Sequence, residues 1–228
     1  MCGRFALFVP IEQLAEEYEL TNAPELEPRY NIAPSQSVLA VRESRQGERL
    51  ALALRWGLVP HWAKDAAIGN RMINARAETV ATKPAYREAF KRRRCIIPAS
   101  GFYEWGPSAA GRWPRFIRAQ DAPLLSLAAL WERWARTDAE PLETCAIVTV
   151  AANPTVAPVH ERMPLCLTRA SYDAWLSPET SLEACQRLLA AQEHPALEVV
   201  PVGKAVNNPR NEHARLIEPV EIPSASAG

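Results

Sequence analysis

The chain has 228 residues, 48% hydrophobic and 23% charged, enough to bury a core and ordinary for a globular protein. Lys plus Arg number 26 and Asp plus Glu number 26, which excludes recruitment of nucleic acid or membrane by net charge and leaves any such partner to local clusters. No basic stretch leads into an apolar one and no apolar run approaches the ~18 residues of a membrane span, so a cytoplasmic protein is expected, nucleoid-associated if bacterial.

In chain order, Ile11, Leu14, Ala15 and Tyr18 recur at helical spacing, and an acidic amphipathic helix is expected after a first strand. "NAPELEPRYNIAPSQ" reads as a proline-rich connector. "SVLAVRE", "LALALRW", "CIIPASGFYEW", "PRFIRAQ", "LLSLAAL", "TCAIVTVAA" and "RMPLCLT" are short, apolar or alternating, and bounded by turn formers, so they read as strands. "TKPAYREAFKRRR" reads as a helix with Pro84 near its first turn and basic residues at its end, where the dipole favours them. "ASYDAWL" and "SLEACQRLLAAQ" read as two late helices, each led by a serine able to cap. "LEVVPV" returns as a strand, and "PSASAG" reads as a frayed tail. Strands outnumber helices without regular alternation, and no glycine-rich phosphate loop appears, so the expected fold class is α+β around a curved, mainly antiparallel sheet.

Five cysteines, Cys2, Cys95, Cys145, Cys166 and Cys185, are scattered without a Cys-x-x-Cys pair, which argues against a disulfide framework and a zinc site. Cys95, Cys145 and Cys166 read as small core residues within strands. Cys2 differs, because the small residue after the initiator permits methionine removal and the mature chain is expected to begin there. It then carries an amine titrating at about 7.7 to 8.0 beside a thiol titrating at about 8.5. Such a pair converts an aldehyde first into a Schiff base and then into a closed thiazolidine ring. An N-terminal cysteine hydrolase, with the thiol attacking an amide and the amine as base, is the alternative use.

Three further stretches carry chemistry. "MINARAET" places Asn74 and Arg76 on one face of an extended segment, an amide for an amine or ring nitrogen and a guanidinium for a phosphate. "GFYEWG" sets Glu104 among aromatic residues, where lost hydration raises a carboxyl into the range of a general acid and base. "PVHERMP" offers His160 to move protons and Arg162 to face a phosphate. Trp62, in "VPHWAKD", has a base to stack on or a core to plug. Residues 71–94 hold eight Lys or Arg against two Glu, a local basic surface that the balanced total conceals. Each residue also has a plain structural use: a turn asparagine, a surface arginine, a solvated strand-end glutamate, a structural histidine or a solvated helix end for "KRRR".

Taken in order, "MCGRF", "RYNIAP", "RWGLVPHWAKD", "INARAET", "CIIPASGFYEW", "HERMP" and "VNNPRNEHARLIEP" resemble the SOS response-associated peptidase family from Met1 to about Pro219. The resemblance implies a single domain over residues 1–222 with a flexible tail at 223–228, a barrel-like antiparallel sheet with flanking helices, and a positive channel for single-stranded DNA. It implies covalent capture of abasic sites through a thiazolidine on Cys2, with self-removal of Met1 as a modest peptidase activity. On this resemblance Asn74 positions the Cys2 amine, Glu104 relays protons in Schiff-base formation, and His160 assists sugar opening or ring closure. Arg4, Asn31, Trp62, Arg76 and Arg162 hold and bend the strand. The expected form is a monomer without cofactor or metal, with abasic single-stranded DNA and replication-fork proteins as partners and no membrane. Two other readings remain: an N-terminal-nucleophile amidohydrolase or peptidase, and a module that binds damaged DNA without covalent chemistry.

Overall fold

A computed structural model describes residues 2–135, 140–190 and 194–223. Met1, the last two residues of the expected second late helix and most of the expected tail lie outside the described residues. The chain runs β1 (Phe5–Leu7), α1 (Ile11–Tyr18), β2 (Arg29–Ile32), β3 (Ser37–Glu43), β4 (Arg49–Trp56), β5 (Asn74–Arg76), α2 (Arg87–Arg92), β6 (Arg94–Ala99), β7 (Gly101–Gly106), β8 (Trp113–Ala119), β9 (Leu125–Trp134), β10 (Leu142–Ala151), β11 (Arg162–Pro164), β12 (Cys166–Leu167), α3 (Tyr172–Leu176), α4 (Leu182–Ala190) and β13 (Leu197–Pro201).

Five strands close into a ring. β4, β3, β6, β9 and β10 pair successively in antiparallel fashion, and β10 returns to β4 through a parallel contact of Thr144 with Arg55 and Cys145 with Trp56. Closure leaves these strands no open edge, which is how a short-stranded sheet avoids pairing with other chains. Both faces of the ring strands are apolar and covered: by register Leu54, Trp56, Leu127 and Ile147 share one face and Ile96 and Leu130 the other, and all six are buried. Phe5 meets Trp56 edge-on at 5.2 Å between ring centres, a contact of about 0.5–1.5 kcal/mol beyond its area. Cys95, Cys145 and Cys166 are buried in this core as expected.

A second, antiparallel sheet has the order β13-β8-β7-β1-β2. "CIIPASGFYEW" is therefore two strands, not one. Ser100 is the corner: its N–H donates to Ala6 O at 2.7 Å and its Oγ accepts from Phe8 N at 3.0 Å. Gly101 follows because a Cβ there would lie 2.4 Å from the Phe116 ring. The proline-rich connector likewise contains β2, which the prolines around it obscure.

The basic helix expected over 82–94 shrinks to α2, and Pro84 precedes it in a run of turns. Arg94 begins β6 instead. Its buried guanidinium donates to the carbonyls of Phe90, Lys91 and Trp175, each at 2.7 Å, and of Ser177 at 2.5 Å. It therefore caps two helix ends from within the core, and only part of the basic run faces solvent. Of the two capping serines, Ser181 accepts from Ala184 N at 3.2 Å, whereas the Ser171 hydroxyl donates back to Thr168 O. No helix among the described residues is long and apolar enough to cross a membrane.

Candidate active site

The C-terminal half of β10 carries two short strands outside the ring. On one edge β5 pairs in parallel, Ile147 with Asn74 and Thr149 with Arg76; on the other β11 pairs antiparallel, Ala151 with Arg162. One barrel strand thus sets Asn74, Arg76 and Arg162 at a common end. The chain start arrives there through the second sheet. β1 pairs with β7, Phe5 with Phe102, and Tyr103 N donates to Arg4 O at 2.9 Å. Continuing that register carries Glu104 beside the residues before Arg4.

Cys2 is fully buried. Asn74 Nδ2 donates to Cys2 O at 2.8 Å, while the Tyr86 hydroxyl donates to Asn74 O at 3.0 Å and so fixes the amide's own backbone. Burial pushes the Tyr86 hydroxyl up to about 12, so it remains a donor. Asn74 Oδ1 is buried and has no hydrogen-bond partner among the described residues. Burial, reinforced by the charge of Glu104, pushes the Cys2 thiol far above its ordinary range. This corrects the expectation of a partly ionised thiol, since a thiolate with no water around it loses its hydration.

Glu104 lies on β7 between Tyr103 and Trp105 and is 5% exposed. Burial raises its carboxyl above the usual range, with the charge of nearby His160 acting in the opposite direction. A strand-end glutamate in water is thereby excluded. His160 Nδ1 accepts from the Arg162 backbone N–H at 2.9 Å. That bond favours the neutral ring's proton on Nε2, while Nδ1 also lies 3.1 Å from Arg162 O.

The other expected residues separate into distinct settings. Arg162 does not stand open to solvent. Its Nη1 and Nη2 grip Glu78 Oε1 and Oε2 at 2.5 and 2.9 Å, and Nη2 also donates to Thr149 O at 2.6 Å. Arg76 is exposed, with Ala75 buried between it and Asn74. Asn31 is wholly buried rather than surface-facing. Its Nδ2 donates to Asn208 O and Asn211 O at 3.0 and 2.9 Å, and its Oδ1 accepts from Arg4 Nη1 at 2.7 Å. Asn31 consequently holds Arg4, which also donates to Val206 O at 2.8 Å and lies over the Trp105 ring. Glu212 closes the same clasp by accepting from the backbone N–H of Tyr30 and Asn31.

Trp62 is 52% exposed, which excludes the core plug. Its loop is possible because Gly57 and Gly69 pack backbone to backbone: a Cβ on either would lie within 2.6 Å of the other's carbonyl oxygen, and Gly57 adopts φ +126°. The loop is pinned where Trp134 Nε1 donates to Ala63 O at 2.7 Å, and Trp134 pairs with Leu142 at the start of β10. That is the end of β10 away from Asn74 and Arg76.

Sequence reasoning missed Glu78, Tyr86 and the clasp residues Val206, Asn208, Asn211 and Glu212. Their roles are contacts across long sequence separations, which no local pattern encodes. No cluster of His, Cys, Asp and Glu with metal-binding geometry occurs among the described residues.

The sequence matches the family described as SOS response associated peptidase over residues 1–209. It is 39% identical to the abasic site processing protein YoaM of Bacillus subtilis over 223 residues, 96% of this chain and 98% of that protein. It is 34% identical to the abasic site processing protein YedK of Escherichia coli, covering 96% of this chain and all of that one. A crystal structure of a protein from Bacteroides thetaiotaomicron superposes with a TM-score of 0.84 at 24% identity, over 96% of this chain and 100% of that chain.

Proposed function

The chain belongs to the SOS response associated peptidase family, and on that premise we propose that it captures abasic sites in single-stranded DNA covalently, through a thiazolidine on Cys2 once Met1 has been removed. The observation that carries the reading is Asn74. One end of its amide holds the Cys2 carbonyl at 2.8 Å and the other is a buried acceptor without a partner among the described residues. A freed Cys2 amine supplies the donor that acceptor lacks. The relatives' names supply the substrate class.

The abasic sugar in its open form is an aldehyde. The Cys2 amine adds to C1′, giving a carbinolamine whose nitrogen loses a proton. The Glu104 carboxyl, whose acid form burial favours, gives its proton to the departing hydroxyl, and water leaves as the imine forms. The Cys2 sulfur then adds to the imine carbon, its proton passes to Glu104 or His160, and the ring nitrogen regains one. The net change joins aldehyde and aminothiol with loss of one water. A thiol kept protonated by burial is a poor first nucleophile, which leaves the first addition to the amine; the sulfur must give up its proton as it closes on the imine carbon.

Arg76 and Arg162 hold phosphates beside the lesion, Arg4 is kept in place by Asn31, and Trp62 stacks on a base further along the strand. Every group comes from one chain, so a monomer suffices. With abasic single-stranded DNA the protein gives a heat-stable, shifted band; the band is absent with Cys2→Ala. The same band with that variant overturns the reading.

A further inference from the structure

We propose that Glu78 is a specificity-determining residue: its carboxylate occupies the phosphate seat on Arg162, and DNA must displace it to bind. This inference rests on the phosphate-holding role of Arg162 given above. The two guanidinium nitrogens that a phosphate would engage are the two that Glu78 already engages, at 2.5 and 2.9 Å. Carboxylate and phosphate present the same pair of oxygens to that fork. Arg76 also acts on the Glu78 carboxyl, which is held below the usual carboxylate range first by Arg162. Glu78 therefore answers electrostatically to both cations assigned to the DNA backbone, and is bonded to Arg162.

The two ends of the pair differ in freedom. Arg162 is 13% exposed and its inner edge is fixed by Thr149 O at 2.6 Å, whereas Glu78 is 53% exposed on the turns after β5. The glutamate end stands half in water, where its charge is screened and its oxygens can be rehydrated, so it is the end that can leave. Displacement leaves the arginine in position and swings the glutamate into water. Until then the seat is closed and one negative charge faces any incoming strand. A strand that can kink brings a phosphate close enough to win the exchange; an undamaged, stacked strand does so less well.

The test compares wild type with Glu78→Gln, which keeps size and removes charge. Binding of an undamaged single-stranded oligonucleotide is measured by fluorescence anisotropy across a salt series. The expected result is binding tighter by about five- to tenfold and a salt slope steeper by about 0.7, one more phosphate engaged. Undamaged strand should also compete more strongly against abasic-site crosslinking. In an Arg162→Gln background the same change at Glu78 should lose most of this gain and leave the salt slope unmoved, since only the removal of one charge near Arg76 and the strand remains. Glu78→Ala is the second variant, and thermal melting checks that both fold. Unchanged or weaker binding, or the full gain and steeper slope persisting without Arg162, overturns the proposal. Failure of wild type to crosslink abasic DNA defeats the proposed function instead, while the binding series still reads on Glu78.

Discussion

Replacing Glu104 by Gln keeps the side chain's size and removes its proton and its charge, which acts on the Cys2 thiol and on His160. The carboxyl is 5% exposed, so bulk water is a poor substitute, and the expected loss is that of a positioned acid–base group, about 10²- to 10⁴-fold. At about 1.36 kcal/mol per tenfold this is about 2.7–5.4 kcal/mol of barrier. Two pH signatures accompany it. The wild-type rate of imine formation falls as pH rises through the raised carboxyl pKa, because the acid form is lost; the variant has no such limb. Stability moves the other way. A carboxyl whose folded-state pKa lies above its unfolded value of about 4.3 contributes stability fully present below that value and lost as pH rises through the folded one. Gln does not titrate, so the melting temperature of Glu104→Gln should gain on wild type across that window and show no growing advantage below it. Single-turnover crosslinking of abasic single-stranded DNA, followed by denaturing gel across pH, measures the rate; calorimetry measures the stability. A rate within about threefold of wild type, with an unmoved pH profile, refutes the proton-transfer role.

Asn31→Ala removes a fully buried amide that ties Arg4 to the C-terminal segment. Leaving its partners unsatisfied should cost about 3 kcal/mol, a melting temperature lower by about 6–12 °C in a chain of this size. Trp62→Ala should leave the melting temperature nearly unchanged, because the ring is 52% exposed, yet weaken single-stranded DNA binding by about 1–3 kcal/mol, the loss of one stacked base. Equal binding by the Trp62 variant in anisotropy would remove the stacking role.

Much of the fold was legible because apolar alternation is dictated by which strand face is buried. β3 and α1 coincide with segments read from spacing alone, and the aromatic neighbours of Glu104 pointed to a desolvated carboxyl beside the alternative of a solvated strand end. The errors share a cause. Ser100 splits one apolar run into two strands because the chain leaves the barrel for the second sheet, a tertiary event with no local signal. Arg94 looked like a solvated helix end, but four carbonyls from two helices make a buried seat for it. Arg162 was read as open because its partner, Glu78, lies 84 positions away in sequence. The Cys2 thiol was assigned its solution range because burial of the second residue depends on how β1 enters the second sheet. Pairings made at a distance were invisible, and they decide whether a charge is free to meet a ligand.

The most direct test is the intact mass of the protein after incubation with abasic single-stranded DNA. The account predicts a chain lacking Met1 and an adduct equal to protein plus DNA less one water, formed by wild type and not by Cys2→Ala. An adduct of the same mass and heat stability on Cys2→Ala, or no adduct on a correctly trimmed wild-type chain, contradicts it.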